Sequence, residues 1–385
     1  MKGIVLSTDP CGDLSILKNE IPKAMITIGN KPIMDWMVRL LKKYGIAELM
    51  ATLYSYSEEI QDYFGDGSRW GLRMWYSQEP KLIGNAGSIK RVENFLGKHT
   101  FIALMGGILS DIDIKELVNF HKRKGAIATL GLVKRECFGK KRIHLDDDGV
   151  SVIGPKKELG QQTDGKGYRS CGVYILEPRV LEYIPKKRSF DFEEDLLPSL
   201  LKNEEKICGF VHEGYWFDIN SFDNFKKANF DFLSKEINIG SSSSNAYSKD
   251  GIKVGKGTEI HESVQIRPPV SIGNNCVIRE DVRLIGPAVI GDNTIIDKDV
   301  SFQKAIVWGR GYIGRDSCVN GALIGDSTYI SSEVEIRENT IIGLNCIVGP
   351  RSSIREGALL NPGSVIKKNS TVDYTVGNKL KSICK

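Results

Sequence analysis

From Val254 onward an aliphatic or aromatic residue returns at every sixth position, and this rhythm limits what the chain can fold into more than any other feature. The series runs Val254, Ile260, Ile266, Ile272, Ile278, Leu284, Ile290, Ile296 and Phe302. After a one-residue slip it continues with Val307, Ile313 and Val319, and a second slip resets it at Ile324, Ile330, Ile336, Ile342, Val348, Ile354, Leu360 and Ile366. A hexapeptide repeat is the signature of a parallel β-helix, in which each triangular coil takes about three repeats and the aliphatic side chain points inward at every face. The positions from Val254 to Ile366 are therefore expected to line one continuous core. Gly and Asn beside them, in "IGNNCV", "IGDNTI", "IGRDSC" and "IGLNCI", suit tight corners that need left-handed backbone.

The other half of the chain has a different period. Up to about Phe232, short β-rich runs alternate with amphipathic stretches: "MKGIVL", "PIMDWMVRLLKKYG", "AELMATLYS", "SEEIQDYFGDG". In the second of these, Ile33, Met37, Leu40 and Leu41 fall at helical spacing and Gly45 follows as a stop signal. Strand–helix–strand repetition implies a parallel sheet flanked by helices, with ligands bound beyond the C-terminal ends of its strands. Between the halves lies "INIGSSSSNAYSKD", a serine-rich stretch with little to bury, which reads as a linker. The expected division is an α/β domain over residues 1–236, a linker over 237–250 and a β-helix over 251–385. The one histidine past the linker, His261, lies in the first coil, which argues against hexapeptide acyltransferase chemistry.

Composition excludes several classes of function. No run approaches the ~18 apolar residues of a membrane span, and the N-terminus lacks the pattern of a secretory signal, so a cytoplasmic protein is expected. Eight cysteines occur singly with no C-x-x-C pair, which argues against a zinc ribbon or a disulfide framework. A net charge of +5 over 385 residues, with only "HKRKG" and "PKKRS" as basic clusters, does not indicate nucleic acid. "DDDG" at Asp146 to Gly149 has the look of paired carboxylates but reads as a solvated hairpin turn.

The turn after the first strand is where such a fold receives phosphates, and a phosphate cradle wants glycine and positive charge. This turn offers Thr8, Asp9, Pro10, Cys11, Gly12 and Asp13: two acids, and a proline with no N–H to donate.

An α/β domain joined to hexapeptide repeats, with "NKPIMDWMVRLLKKYGI", "IQDYFGDGSRWGLRMWYSQEPKLIGNAGSIKRVENFL" and "EGYWFDIN", resembles the sugar-phosphate nucleotidyltransferases, above all the bacterial mannose-1-phosphate guanylyltransferase type. The resemblance covers essentially the whole chain. It implies a Rossmann-like nucleotidyltransferase domain followed by a left-handed parallel β-helix. It also implies transfer of a nucleotide from an NTP to a sugar 1-phosphate, releasing pyrophosphate, with Mg²⁺ held by two aspartates. The family loop G-G-x-G-T-R-L is replaced here, Asp13 standing where the family has arginine, while Leu14 survives. Pro22 and Lys23 match the proline and lysine after that loop, so Lys23 is a retained phosphate contact. The resemblance places nucleotide contacts at Leu6, Ser7, Gly12, Gly84, Asn85 and Gly87. It places sugar-phosphate contacts at Lys156 (or Lys157), Ser170 and Gly172. Of the two metal aspartates, the first position holds Gly107 and the second is Asp218, which read without the family is equally a cap or turn acid.

These departures fall together on loop, metal and sugar contacts. The expectation is a catalytically impaired regulatory or assembly subunit, or a sensor of a nucleotide sugar. One alternative is a working transferase using Mg²⁺ and a sugar 1-phosphate, with Lys23, Asp218 and a displaced acid, Asp111 or Asp113. The other is a scaffold that binds no nucleotide. Hexapeptide helices often mediate oligomer contacts in this family, so a homo-oligomer, or a hetero-oligomer with an active paralogue, is expected; nucleic acid and membrane are not.

Overall fold

The computed structural model describes residues 1–8, 12–18, 21–54, 56–134, 142–146, 149–154, 167–186, 188–234 and 251–373. The linker assigned to 237–250 lies outside the described residues, as do Asp9, Pro10, Cys11, Lys156 and Lys157.

The first half is built on a nine-stranded sheet. Its strands are β1 (Lys2–Ser7), β2 (Glu48–Leu53), β3 (Arg73–Gln78), β4 (Phe101–Met105), β5 (Ala128–Lys134), β6 (Arg142–Asp146), β7 (Gly149–Gly154), β8 (Tyr168–Leu176) and β9 (Ile207–Val211). They lie in the order β3-β2-β1-β4-β8-β5-β9-β7-β6. β1 runs parallel to β2 and β4, and its run from Ile4 to Leu6 is buried because helices cover both faces. Helix α1 (Ile33–Lys43) forms where the helical spacing places it, with Ile33, Met37, Leu40 and Leu41 buried. It also buries Asp35, whose carboxylate accepts hydrogen bonds from Trp70 Nε1 and Arg39 Nε, each at 2.6 Å, so the inward charge is paired. Asp146 pairs with Gly149 where β6 turns into β7, the hairpin expected at "DDDG".

The second half is a triangular prism of three seven-stranded parallel sheets, each strand pairing with the strand one coil on. The inward positions from Ile272 to Ile366 are all at most 7% exposed. The start of the series departs from expectation: Val254 is 45% exposed, and Ile260 and Ile266 are half-buried, because among the described residues no earlier coil lies beneath the first. The corners also divide the labour differently. In the four stretches quoted above the left-handed residue is the Asn or Asp, at Asn275, Asn293, Asp316 and Asn345 with φ between 53° and 59°, whereas Gly257, Gly321, Gly357 and Gly363 take that conformation at other corners. The glycine is needed for close approach: a Cβ at Gly291 would lie 1.6 Å from the carbonyl oxygen of Trp308 in the next coil.

The halves are packed together. Val289, Ile306, Trp308 and Leu323, on the outside of one prism face, join the core of the α/β half. Phe225, on the helix Phe222–Leu233, stacks on Trp308 with ring centroids 5.1 Å apart. Backbone bonds add to this: Leu344 N–H donates to the Ile16 carbonyl and Asp326 N–H to the Leu17 carbonyl, each at 2.7 Å. The described cysteines Cys171, Cys208, Cys276, Cys318 and Cys346 are free thiols. Among the described residues no helix is long and apolar enough to cross a membrane.

Candidate ligand-binding cavity

A cavity of about 490 Å³ opens beyond the C-terminal end of β4, lined among others by Lys23, Gly107, Arg169, Ser170, Trp216 and Asp218. Asp218 sits on a two-stranded ribbon, Trp216–Asp218 against Ile108–Ser110, and pairs with Ile108, which sets it beside Gly107. Lys23 opens a short helical turn, Lys23–Met25, after Pro22.

These side chains converge on one carboxylate. Lys23 Nζ lies 2.5 Å from Asp218 Oδ1, and Arg169 Nη2 lies 2.9 Å from Oδ2. Burial alone would push the Asp218 carboxyl up, but the Lys23 ammonium and the Arg169 guanidinium outweigh it and hold the group below the usual carboxylate range. The Arg169 guanidinium lies over the Trp216 ring, 5.3 Å from its centroid, and Trp216 Nε1 donates to the Cys171 carbonyl at 2.9 Å. The Lys23 stem crosses Gly107 so closely that a Cβ there would stand 2.6 Å from Lys23 Cδ. A carboxylate at position 107 and the present Lys23 position therefore exclude one another.

The protein side chains alone offer a divalent cation little. Both oxygens of Asp218 face positive groups, Gly107 offers no ligand, and among the described residues no three His, Cys, Asp or Glu side chains converge as a metal site. The displaced acids are engaged elsewhere. Asp111 Oδ1 accepts from Tyr215 N–H at 2.8 Å and lies 3.1 Å from His212 Nε2, while Asp113 caps the helix Ile114–Lys124 through Glu116 N–H.

The other sequence-derived positions divide. Asn85 and Gly172 line the cavity, as does Ser170. The Ser170 hydroxyl is already used, accepting from Gly172 N–H at 3.1 Å and donating to the Tyr174 hydroxyl at 2.9 Å across a bulge in β8. Gly84 and Gly87 serve a close backbone approach: Gly87 N–H donates to the Phe190 carbonyl at 2.9 Å, and a Cβ at Gly84 would stand 2.5 Å from that oxygen. Leu6 lies in the core, and the buried Ser7 hydroxyl faces Met34 Sδ at 3.6 Å. Gly12 and Asp13 are exposed on the helical turn Gly12–Ile16, outside the cavity lining. The loop is tied to the β-helix instead, with Leu14 and Leu17 buried and the Ile16 and Leu17 carbonyls bonded to the coils.

Sequence reasoning missed Arg169, although a cation immediately before Ser170, Cys171 and Gly172 was a visible signal. It also missed three acids of the cavity lining, Asp191, Glu193 and Glu194. Asp191 Oδ1 accepts from Glu193 and Glu194 N–H at 2.9 and 3.2 Å.

The nucleotidyl transferase family profile matches residues 2–235, the GMPPB C-terminal domain profile residues 283–369, and the bacterial transferase hexapeptide (six repeats) profile residues 251–286. The hexapeptide match and the triangular parallel coils agree on a left-handed β-helix. The chain is 30% identical over 250 residues to a UTP–glucose-1-phosphate uridylyltransferase of Synechocystis, a match that takes in 62% of this chain and 64% of that protein. It is 28% identical over 216 residues to a mannose-1-phosphate guanylyltransferase of Mycobacterium tuberculosis, covering 55% of this chain and 59% of the relative. It thus spans less than two thirds of either relative's length. The crystal structure of HddC from Yersinia pseudotuberculosis complexed with GMP-PN shares the fold, with a TM-score of 0.51 at 22% identity over 60% of this chain and 99% of that one. With the nucleotidyl transferase match spanning more than half of its length, the chain belongs to the sugar-phosphate nucleotidyltransferase family.

Proposed function

We propose that this chain is a cytoplasmic, catalytically impaired member of nucleotide-sugar metabolism that holds a nucleotide sugar or sugar phosphate and acts as a regulatory or assembly subunit. Residues 1–236 are the ligand-binding unit in this reading, 237–250 a linker and 251–385 the assembly unit. The observation that carries it is Asp218, whose two oxygens face Lys23 and Arg169 while Gly107 supplies no second carboxylate. Nucleotidyl transfer depends on cations that neutralise charge developing on the phosphates. Here the local cations are side chains already paired with an acid. Lys23 and Arg169 suit a phosphate group, and Glu193 and Glu194 of the same lining suit sugar hydroxyls.

The test is pyrophosphate release from each NTP paired with mannose, glucose or N-acetylglucosamine 1-phosphate at millimolar Mg²⁺. The expected result is no release above background from the chain alone, together with altered kinetics of an active relative on mixing. Turnover by the chain alone at about 1 s⁻¹ or more overturns the reading.

A further inference from the structure

Asp218 meets Lys23 and Arg169 only while the ribbon that carries it stays in place, and the ribbon is too short to hold itself. It pairs Trp216 with Ser110, Phe217 with Leu109 and Asp218 with Ile108, and it is not hydrogen-bonded into the nine-stranded sheet. A two-stranded ribbon of this kind is marginal on its own. Its anchor lies at the end away from Asp218. There Asp111 N–H donates to the Tyr215 carbonyl at 3.1 Å, and Asp111 Oδ1 accepts from Tyr215 N–H at 2.8 Å, so a side chain completes the next rung of the ladder.

His212 joins this rung to the main sheet. Its Nε2 lies 3.1 Å from Asp111 Oδ1 and 3.2 Å from the Tyr215 carbonyl oxygen. Both neighbours are acceptors, so that nitrogen carries the hydrogen and is shared between them. The His212 backbone N–H donates to the Leu132 carbonyl of β5 at 2.7 Å, directly after the end of β9. The turn between is closed tightly: a Cβ at Gly214 would stand 2.5 Å from Asp111 Oδ1 and 2.5 Å from His212 Cε1. The His212 and Asp111 side chains are 9% and 18% exposed, and a hydrogen bond to a carboxylate is stronger in such partly desolvated surroundings than at the open surface. The far side of Tyr215 is fixed as well, its hydroxyl donating to Asp231 Oδ2 at 2.9 Å on the helix Phe222–Leu233. Neither Asp111 nor His212 is among the residues that line the cavity, so their effect on it passes through the ribbon.

We propose that Asp111 and His212 are positioning residues for the ligand site, a latch that ties the ribbon to the sheet and so holds the Asp218 carboxylate between Lys23 and Arg169. The consequence for binding rests on the reading of this cavity as a phosphate site: the latch keeps both cations engaged on Asp218, and releasing it frees them for an anion.

The experiment is a double-mutant cycle in urea unfolding, with Lys23→Met and Asp218→Asn measured in the wild-type chain and again in the Asp111→Ala chain. The coupling between the two substitutions is expected to fall by about half or more in Asp111→Ala, and likewise in His212→Ala. Asp111→Asn, which keeps an oxygen for both N–H donors, is expected to restore most of it. A purely structural Asp111 lowers stability without touching this coupling, so coupling unchanged by Asp111→Ala overturns the proposal; if that variant does not fold, His212→Ala decides in its place. Titration calorimetry with inorganic pyrophosphate in EDTA tests the consequence. Asp111→Ala is expected to bind about threefold or more tightly than wild type, and Asp111→Ala with Asp218→Asn no more tightly than Asp218→Asn alone. Gains that add in the pair overturn the latch, because they show Asp111 acting on the site by another route. Reduced coupling with pyrophosphate binding absent in every variant leaves the latch standing and overturns the phosphate site.

Discussion

Replacing Asp218 by Asn removes one negative charge from between two cations while leaving the shape of the cavity in place. A phosphate held by Lys23 and Arg169 would sit roughly 5 Å from that carboxylate, where a unit charge at an effective dielectric near 20 repels by about 3 kcal/mol. Solvent in the cavity and rearrangement of the two long side chains reduce this to about 1–2 kcal/mol, so Asp218→Asn is expected to bind glucose 1-phosphate or pyrophosphate about fivefold to thirtyfold more tightly. The fold loses stability in the same step. Lys23 and Arg169, with side chains 14% and 26% exposed, keep their charge without a partner, at a cost of about 1–3 kcal/mol. Titration calorimetry in EDTA measures the first effect and urea unfolding the second. The stability difference between wild type and variant has a defined pH window. The Asp218 carboxyl is depressed in the folded chain, so its contribution is complete above the ordinary value of 3.8 and is lost as pH falls through the lower folded value. Weaker phosphate binding by Asp218→Asn, or binding that requires Mg²⁺ and disappears in the variant, would refute the argument, because a carboxylate acting as a metal ligand predicts both.

Ile342→Asp places an unpaired charge in the β-helix core, where Ile342 is 0% exposed and pairs with Ile324 and Leu360 on the neighbouring coils; it is expected to abolish cooperative melting of the repeat region or to cause aggregation, seen by calorimetry. Gly107→Asp puts a Cβ 2.6 Å from Lys23 Cδ and must displace that stem, so a loss of about 1–3 kcal/mol is expected in urea unfolding. Lys253 has its ammonium pushed down to about 8, chiefly by burial, with Lys31 and Arg39 adding repulsion against the attraction of Asp35. The unfolded chain binds the extra proton between pH 8 and 10.5, so this lysine destabilises most below pH 8. Lys253→Met should therefore raise the urea midpoint at pH 7, and its advantage over wild type should close as pH rises to 10.5.

The hexapeptide register was legible because every sixth side chain must enter the same narrow core, a local rule that a sequence records directly. Helix α1 and the alternation of strands and helices were legible for the same reason, each being carried by one contiguous stretch. What only the tertiary structure decided is where distant residues meet and which surfaces are covered. Lys23, Gly107, Arg169 and Asp218 come from separate elements, Lys23 and Asp218 being 195 residues apart, and no spacing rule announces that the lysine and the arginine close on the two oxygens of one acid. The acids of the first loop looked like an answer to the triphosphate. In the fold Asp13 faces solvent, and the loop is held by main-chain bonds from Leu344 and Asp326 of the β-helix. Likewise the alternation of inward and outward residues was written in each hexad, whereas which outward face is covered followed from where the α/β half came to rest. Periodicity sets the direction of a side chain relative to its own backbone; its partners are set by the packing of elements far apart in the chain.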